Sequence, residues 1–295
     1  MTFALIHRRK REIFYIDLML KKYYKYGEVF ILVIPFSIQR FMFYRGRKLY
    51  GLVVEAISRP GVLAAVTLKV AEKGLDITYC STRTVKAEER GIILLFIDFT
   101  DSEVDPCSLA DEVKALDPIE RVEVIKPTLK GYIADTVSFP LFTNSSRAVI
   151  MEESILRGLF LDFRTRLGSG GEAMLYHLGL EAGKRRGDYV NRMAEEIGVQ
   201  EVVEKVEIVS GIFRSLGYGI IEVQELRVEP PYAYVRIHRS IECELGVGAD
   251  RPFSQFLRGA IAGLFTALFN REMFAEEKLC IAAGDTHCEF EVTPR

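Results

Sequence analysis

The chain has 295 residues, of which 49% are hydrophobic and 27% charged, and its net charge is -2. At roughly 100–200 residues per domain that length suggests two domains, and the composition excludes a wholly disordered chain. Five cysteines are too few for a disulfide scaffold, and 39 basic against 41 acidic residues argue against a strongly basic nucleic-acid binder. The charge is uneven: residues 1–50 hold 11 Lys/Arg and 3 Asp/Glu. A basic extension over 1–45 is expected, read as a solvated segment ahead of an acidic body rather than as an arm for anions.

The tract His7-Arg8-Arg9-Lys10-Arg11 is interrupted by Glu12, Asp17, Lys21 and Lys22, so no signal peptide is expected. The apolar runs Val29–Phe36 and Ala260–Phe269 are far shorter than the roughly 20 residues of a spanning helix. A cytoplasmic protein with no membrane segment follows, its thiols free or on metal. Direct nucleic-acid binding is not expected.

Leu49–Ile57 reads as a strand and Ser58-Arg59-Pro60-Gly61 as a turn. Helical periodicity runs over Val62–Lys73, with Pro60 expected at the first helical position. Asp76–Val85 and Ile92–Phe99 read as strands around a turn at 87–91. Asp105–Leu116 reads as a helix and Ile119–Lys126 as a closing strand. The order β-α-β-β-α-β is the ferredoxin-like split pattern, two helices on one face of a four-stranded antiparallel sheet. It resembles the ACT domain, placed at 46–128. The resemblance implies pairing of two copies and an effector site near Ser58, Arg59, Pro60, Gly61, Val62 and Leu63. Many amino-acid-binding members carry Asp or Asn ahead of the Pro-Gly, where this chain has Ser58-Arg59.

A linker is expected near Pro127–Phe142, then a helix over Arg147–Leu167. Gly168-Ser169-Gly170-Gly171 lacks the phosphate-cradle spacing and reads as the end of one helix and the start of another. Helical pieces follow to about Val209. Strands are expected at Ile220–Val228 and Tyr232–His238, then a helix over Phe253–Phe269, an acidic stretch and a strand at Glu289–Val292. Gly259 and Gly263 are expected to let that helix lie close against a sheet.

From Gly217-Tyr218-Gly219 onward, the segments Ser240-Ile241-Glu242-Cys243, Glu276-Glu277-Lys278-Leu279-Cys280 and Gly284-Asp285-Thr286-His287-Cys288-Glu289-Phe290 resemble the 4-vinyl reductase domain. The resemblance places a mixed α/β small-molecule-binding domain at 129–295. It also implies a metal site, because metal-binding members join a cysteine ahead of the long helix to a Glu-Cys-Cys set. Glu277, Cys280 and Cys288 match that set, but Ser254 stands at the cysteine's position. Serine is a poor zinc ligand, so Cys243 or His287 is left to supply the fourth donor. The alternative is two packed thiols without metal. Zinc is the one cofactor the residues suggest.

Cys80 reads as a core residue and Cys107 as a helix-start thiol. His177, Tyr218 and His238 are candidate ligand contacts, with Met174, Tyr176 and Phe213 as apolar lining or plain core. No nicotinamide fingerprint and no G-x-S-x-G elbow occurs, and no catalytic residue can be named. The expected function is a ligand-responsive regulator that binds an aromatic, apolar or amino-acid molecule and signals through a homodimer or protein partner. The alternatives are a vinyl reductase acting on a tetrapyrrole-like substrate and a non-catalytic assembly protein.

Overall fold

The computed structural model describes residues 22–26, 29–84 and 89–295; the basic tract at 7–11 lies outside them. The chain divides into two compact units, Met1–Ala148 and Val149–Arg295.

The first unit begins with the hairpin β1 (Lys22–Tyr26) and β2 (Val29–Val33), then β3 (Phe41–Phe43). Its central sheet holds β4 (Leu49–Ile57), β5 (Asp76–Arg83), β6 (Arg90–Asp98) and β7 (Ile119–Ile125), in the order β5-β6-β4-β7, all antiparallel. Helices α1 (Val62–Glu72) and α2 (Pro106–Lys114) pack on one face around Leu52, Val54, Val66, Leu95 and Leu109. This is the expected ferredoxin-like arrangement. Asp105 starts α2 by accepting the Ser108 N–H at 2.9 Å, with Pro106 in the first turn, where its missing N–H costs nothing.

The expected linker does more than connect. Residues 132–134 form β8, which pairs with β3. The β3–β8 ribbon and the opposite sheet face share a second core of Met42, Val53, Leu94, Phe96, Ile125 and Ile133. Strands β4 and β6 are apolar on both faces, so the face away from the helices also needs cover. The expected helix over Arg147–Leu167 starts late for a local reason. Asn144, at φ 53°, turns the chain between β9 (Leu141–Thr143) and β10 (Ser146–Ala148). Helix α3 (Glu153–Arg157) then leads through a π-helical turn at 158–162.

In the second unit, α4 (Phe163–Glu196) is interrupted at Gly168, whose φ 55° and ψ -136° are not helical, in line with the glycine cluster there. Helix α5 (Val202–Ser215) follows. The sheet holds β11 (Ile220–Arg227), β12 (Tyr232–His238), β13 (Met273–Leu279) and β14 (Cys288–Pro294), in the antiparallel order β11-β12-β14-β13. Between β12 and β13 lie the short α6 (Ile241–Leu245) and the apolar α7 (Gln255–Phe269). The glycine spacing on α7 serves a helix, not a sheet. A Cβ on Gly259 would sit 2.0 Å from the Tyr176 carbonyl oxygen, and one on Gly183 of α4 would sit 2.0 Å from that of Ala260. The two backbones touch because neither presents a side chain there. One face of α7 packs on Val235, Ile237, Ala275, Phe290 and their neighbours.

Candidate metal centre

Four donors converge at the end of the second sheet. Cys243 comes from α6, Glu277 from β13, Cys280 from just beyond β13, and Cys288 from the start of β14. Their ligand atoms all lie within 4.8 Å of one another. The three cysteines are completely buried. Ser254, also fully buried, sits among them just ahead of α7. Its hydroxyl donates to Glu277 Oε1 at 2.7 Å and lies 2.7 Å from Cys243 Sγ, while its N–H donates to Glu277 Oε2 at 3.0 Å. Cys243 Sγ and Cys280 Sγ are 3.6 Å apart, and the Phe253 N–H donates to Cys280 Sγ at 3.4 Å.

The electrostatics of this cluster are those of anions held together in a dry place. Burial pushes the Glu277 carboxyl up to about 8, against the pull of the Ser254 hydrogen bonds. Hydrogen bonds from Cys243 and Cys288, with the Phe253 N–H, pull the Cys280 thiol down, whereas the bonds it shares with Cys280 and Cys288, and burial, push Cys243 up. Three thiols and a carboxyl cannot all ionise side by side unless a cation joins them. The set therefore fits a metal ion: four protein donors, three of them sulfur, match the number and softness that zinc prefers. A metal ion held by all four donors would cross-link α6, β13 and β14.

The surrounding chain holds these donors in place. Glu242, 2% exposed, points away from the cluster to the first turn of α7. It accepts the N–H groups of Gln255 at 2.9 Å, Phe256 at 3.1 Å and Leu257 at 2.7 Å, satisfying donors that a helix start leaves open. Arg164 of α4 approaches Glu242 at 3.2 Å, donates to the Phe253 carbonyl at 2.7 Å, and stacks 3.6 Å from the Phe253 ring centroid. Burial still raises the Glu242 carboxyl to about 7. Asp285 accepts the Cys280 N–H at 2.8 Å and fixes the turn between the two strand cysteines.

Of the two residues left to replace a cysteine at 254, the fold selects Cys243. His287 lies on the other side of β14, where it meets Glu289 at 2.8 Å and Thr286 at 2.8 Å. Adjacent residues on a strand face opposite ways, and Cys288 takes the inner side. On the outer face, Glu289 also accepts from Tyr234 at 2.5 Å and from Arg236 at 2.8 Å. Tyr234, Arg236 and His287 hold its carboxyl down at about 2 despite partial burial, and the bond from Tyr234 raises that phenol to about 12.

The expected ligand contacts lie on separate elements. His177 is exposed on α4, its ring edge-on to Tyr176 at 5.5 Å. Tyr218 is half-exposed beside Phe213, with ring centroids 5.4 Å apart. His238 is buried on β12, 3.2 Å from Glu222, and burial lowers its pKa. Met174 is exposed and is no part of a core.

In the first unit, Pro60 does not occupy the first helical position. Arg59-Pro60-Gly61-Val62 form a type II turn, with Gly61 at φ 91° and the Val62 N–H on the Arg59 carbonyl at 3.3 Å, and α1 begins after it. Ser58 donates its N–H to the Glu89 carbonyl at 2.8 Å, Arg59 approaches Asp117 at 3.8 Å, and Leu63 is exposed. Cys80 is not a core residue: it lies exposed on β5, an edge strand of the sheet. Cys107 is exposed in the first turn of α2.

Residues 233–294 match the model of the vinyl-4-reductase (V-4-R) domain. The second unit carries a domain of the vinyl-4-reductase family. That match contains β12, α6, α7, β13 and β14, and with them all four donors. "Uncharacterized protein MJ1460" of Methanocaldococcus jannaschii is 26% identical over 126 residues, 42% of this chain and 67% of that one. "Uncharacterized protein MJ0150" of the same organism is 29% identical over 126 residues, 42% and 66% of the two chains. Among solved structures, a vinyl-4-reductase family protein from M. jannaschii is 22% identical with a TM-score of 0.36, covering 51% of this chain and 85% of that one. The phenol-responsive sensory domain of the transcription activator PoxR is 16% identical with a TM-score of 0.47, covering 52% and 79%. The ACT domain of a Chlorobium tepidum GTP pyrophosphokinase is 14% identical with a TM-score of 0.24, covering 27% and 99%. Among the described residues, no helix is long and apolar enough to cross a membrane.

Proposed function

We propose that this chain is a ligand-responsive regulatory protein whose vinyl-4-reductase-family unit is stapled by a structural zinc ion, with binding rather than catalysis as its task. The observation that carries the structural-metal part of this reading is the saturated donor set. Cys243, Glu277, Cys280 and Cys288 bring four protein ligands together in the interior. A catalytic zinc keeps one position for water or substrate, whereas a structural zinc has all four filled by protein. The vinyl-reductase alternative would place no role on this cluster beyond holding the fold.

The βαββαβ unit supplies the second binding element. Its type II turn at 59–62 leads into the N-terminus of α1, where backbone N–H groups suit a carboxylate, and an amino acid is the ligand class that fits. The second unit is assigned a small apolar or aromatic molecule. Regulation follows if a ligand favours one of two arrangements, by linkage. The test is native mass spectrometry of the full chain purified from cells, with thermal melting against panels of amino acids and small phenols. A retained small molecule, or a saturable rise in melting temperature with one panel, is expected. Turnover of a vinyl-bearing tetrapyrrole with an electron donor, or no stabilisation by either panel, would overturn the proposal.

A further inference from the structure

The β3–β8 ribbon has an inner and an outer side. Met42 and Ile133, paired across it, point inward and join the second core of the first unit. Alternation along each strand then turns Phe41, Phe43 and Tyr132 outward, with Tyr132 directly opposite Phe43. Phe43 is 74% exposed, and the Phe41 and Tyr132 ring centroids are 6.5 Å apart. Exposed apolar side chains continue at both ends. At one end the Tyr44 N–H donates to the Gly131 carbonyl at 2.8 Å, in the turn that carries Leu129, 69% exposed. At the other end Arg40 donates to the Ser138 carbonyl at 3.0 Å, which brings in Ile38 and Phe139, 61% and 78% exposed.

The charge around these side chains has one sign. Residues 34–48 and 126–148, which build the ribbon and its flanks, hold seven Lys/Arg and one acidic residue. That one, Asp135, has a fully buried side chain and is paired with Arg40 at 2.5 Å. Arg47 is taken by Asp98 at 2.7 Å. Arg45 and Lys130 are exposed at the Leu129 end, and the Arg147 guanidinium lies 5.6 Å from the Phe139 ring centroid at the other. A second copy of this side would set positive charge on positive, and so would the stretch His7-Arg8-Arg9-Lys10-Arg11. The occupant is therefore anionic. It is also hydrocarbon rather than base: Ile38 and Leu129 have no ring face on which a nucleic-acid base could stack. Aromatic and aliphatic side chains rimmed by Lys and Arg suit the headgroup layer of an anionic bilayer.

We infer that the outer side of the β3–β8 ribbon docks on an anionic lipid bilayer, with Phe41, Phe43 and Leu129 entering the headgroup boundary and Arg45, Lys130 and Arg147 meeting the lipid phosphates. This is contact with the surface of the bilayer rather than a span across it. The inference goes beyond the ligand and metal reading and does not rest on it.

The chain has no tryptophan, so Phe43→Trp places a single fluorescent reporter on the ribbon. Phe274→Trp, on β13 of the second unit, is the control. The full chain is mixed with vesicles of phosphatidylcholine alone, or with about 30% phosphatidylserine, and sedimented. The Phe43→Trp emission is expected to move to the blue with the anionic vesicles and not with the neutral ones, and the Phe274→Trp emission to stay in place. Arg45→Glu with Lys130→Glu should lower partition onto the anionic vesicles roughly tenfold. Arg185→Glu with Arg192→Glu, the same change of charge at exposed sites on α4, should change it far less. An unmoved Phe43→Trp emission, equal uptake by the two kinds of vesicle, equal effects of the two charge-reversed pairs, or binding to a polyuridine strand in place of anionic vesicles would each overturn the inference.

Discussion

Cys280→Ala is expected to abolish metal binding and to lower the melting temperature of the second unit by roughly 10 °C in zinc-replete buffer. The size follows from linkage. Free zinc at about a thousand times its dissociation constant stabilises the folded form by about 4 kcal/mol, and 1 kcal/mol moves the melting point of a domain of this size by roughly 2–4 °C. The unit does not collapse outright, because the buried cluster around α7 and the sheet remains. Calorimetry of the wild type with and without a strong chelator should show the same fall, and the chelator should add nothing to Cys280→Ala. A wild-type melting point unmoved by chelation would contradict the expectation.

The second large effect belongs to Glu242. Glu242→Ala strips three N–H groups at the start of α7 of their acceptor and leaves Arg164 buried without its carboxylate. Removing one partner of a buried ion pair costs about 3–5 kcal/mol. Glu242→Gln should cost less, because its amide oxygen can keep part of the cap. Urea denaturation measures both. A loss under about 1 kcal/mol for the alanine variant would contradict the account. Glu242 also precedes Cys243, and the same cap sets Ser254 at the head of α7. Glu242→Ala should therefore weaken zinc retention as well as the fold.

Much of this is legible in the residues. The apolar runs at 49–57 and 92–99 and the alternation at 232–238 mark strands close to their true bounds. The glycine cluster at 168–171 marks the break in α4. Strand β13 is not among the expected strands, although its alternation is plain: Met273, Ala275 and Glu277 point inward, and Phe274, Glu276 and Lys278 outward. A glutamate at an inward position reads as a break in the apolar pattern, and the metal cluster is the reason it is there. The β8 segment reads as linker because three residues are too short to show periodicity. Its signal lies instead in β4 and β6, whose two apolar faces demand a second cover. Glu242 as a helix cap carries no local signal, since its partners lie 13 to 15 residues ahead. The choice of Cys243 over His287 is hidden for a similar reason: the path of α6 brings Cys243 inside, and the inner seat on β14 goes to Cys288.

Cobalt(II) titration of the full chain tests the central claim most directly, because each thiolate bound to cobalt adds to one charge-transfer band in the near ultraviolet. The wild type should take up one ion per chain in a tetrahedral spectrum, and Cys243→Ser should lose about one third of the thiolate band, the share of one sulfur in three. Ser254→Ala should keep it whole. An unchanged band in Cys243→Ser, or no uptake by the wild type, would contradict a site in which Cys243 fills the seat that position 254 cannot.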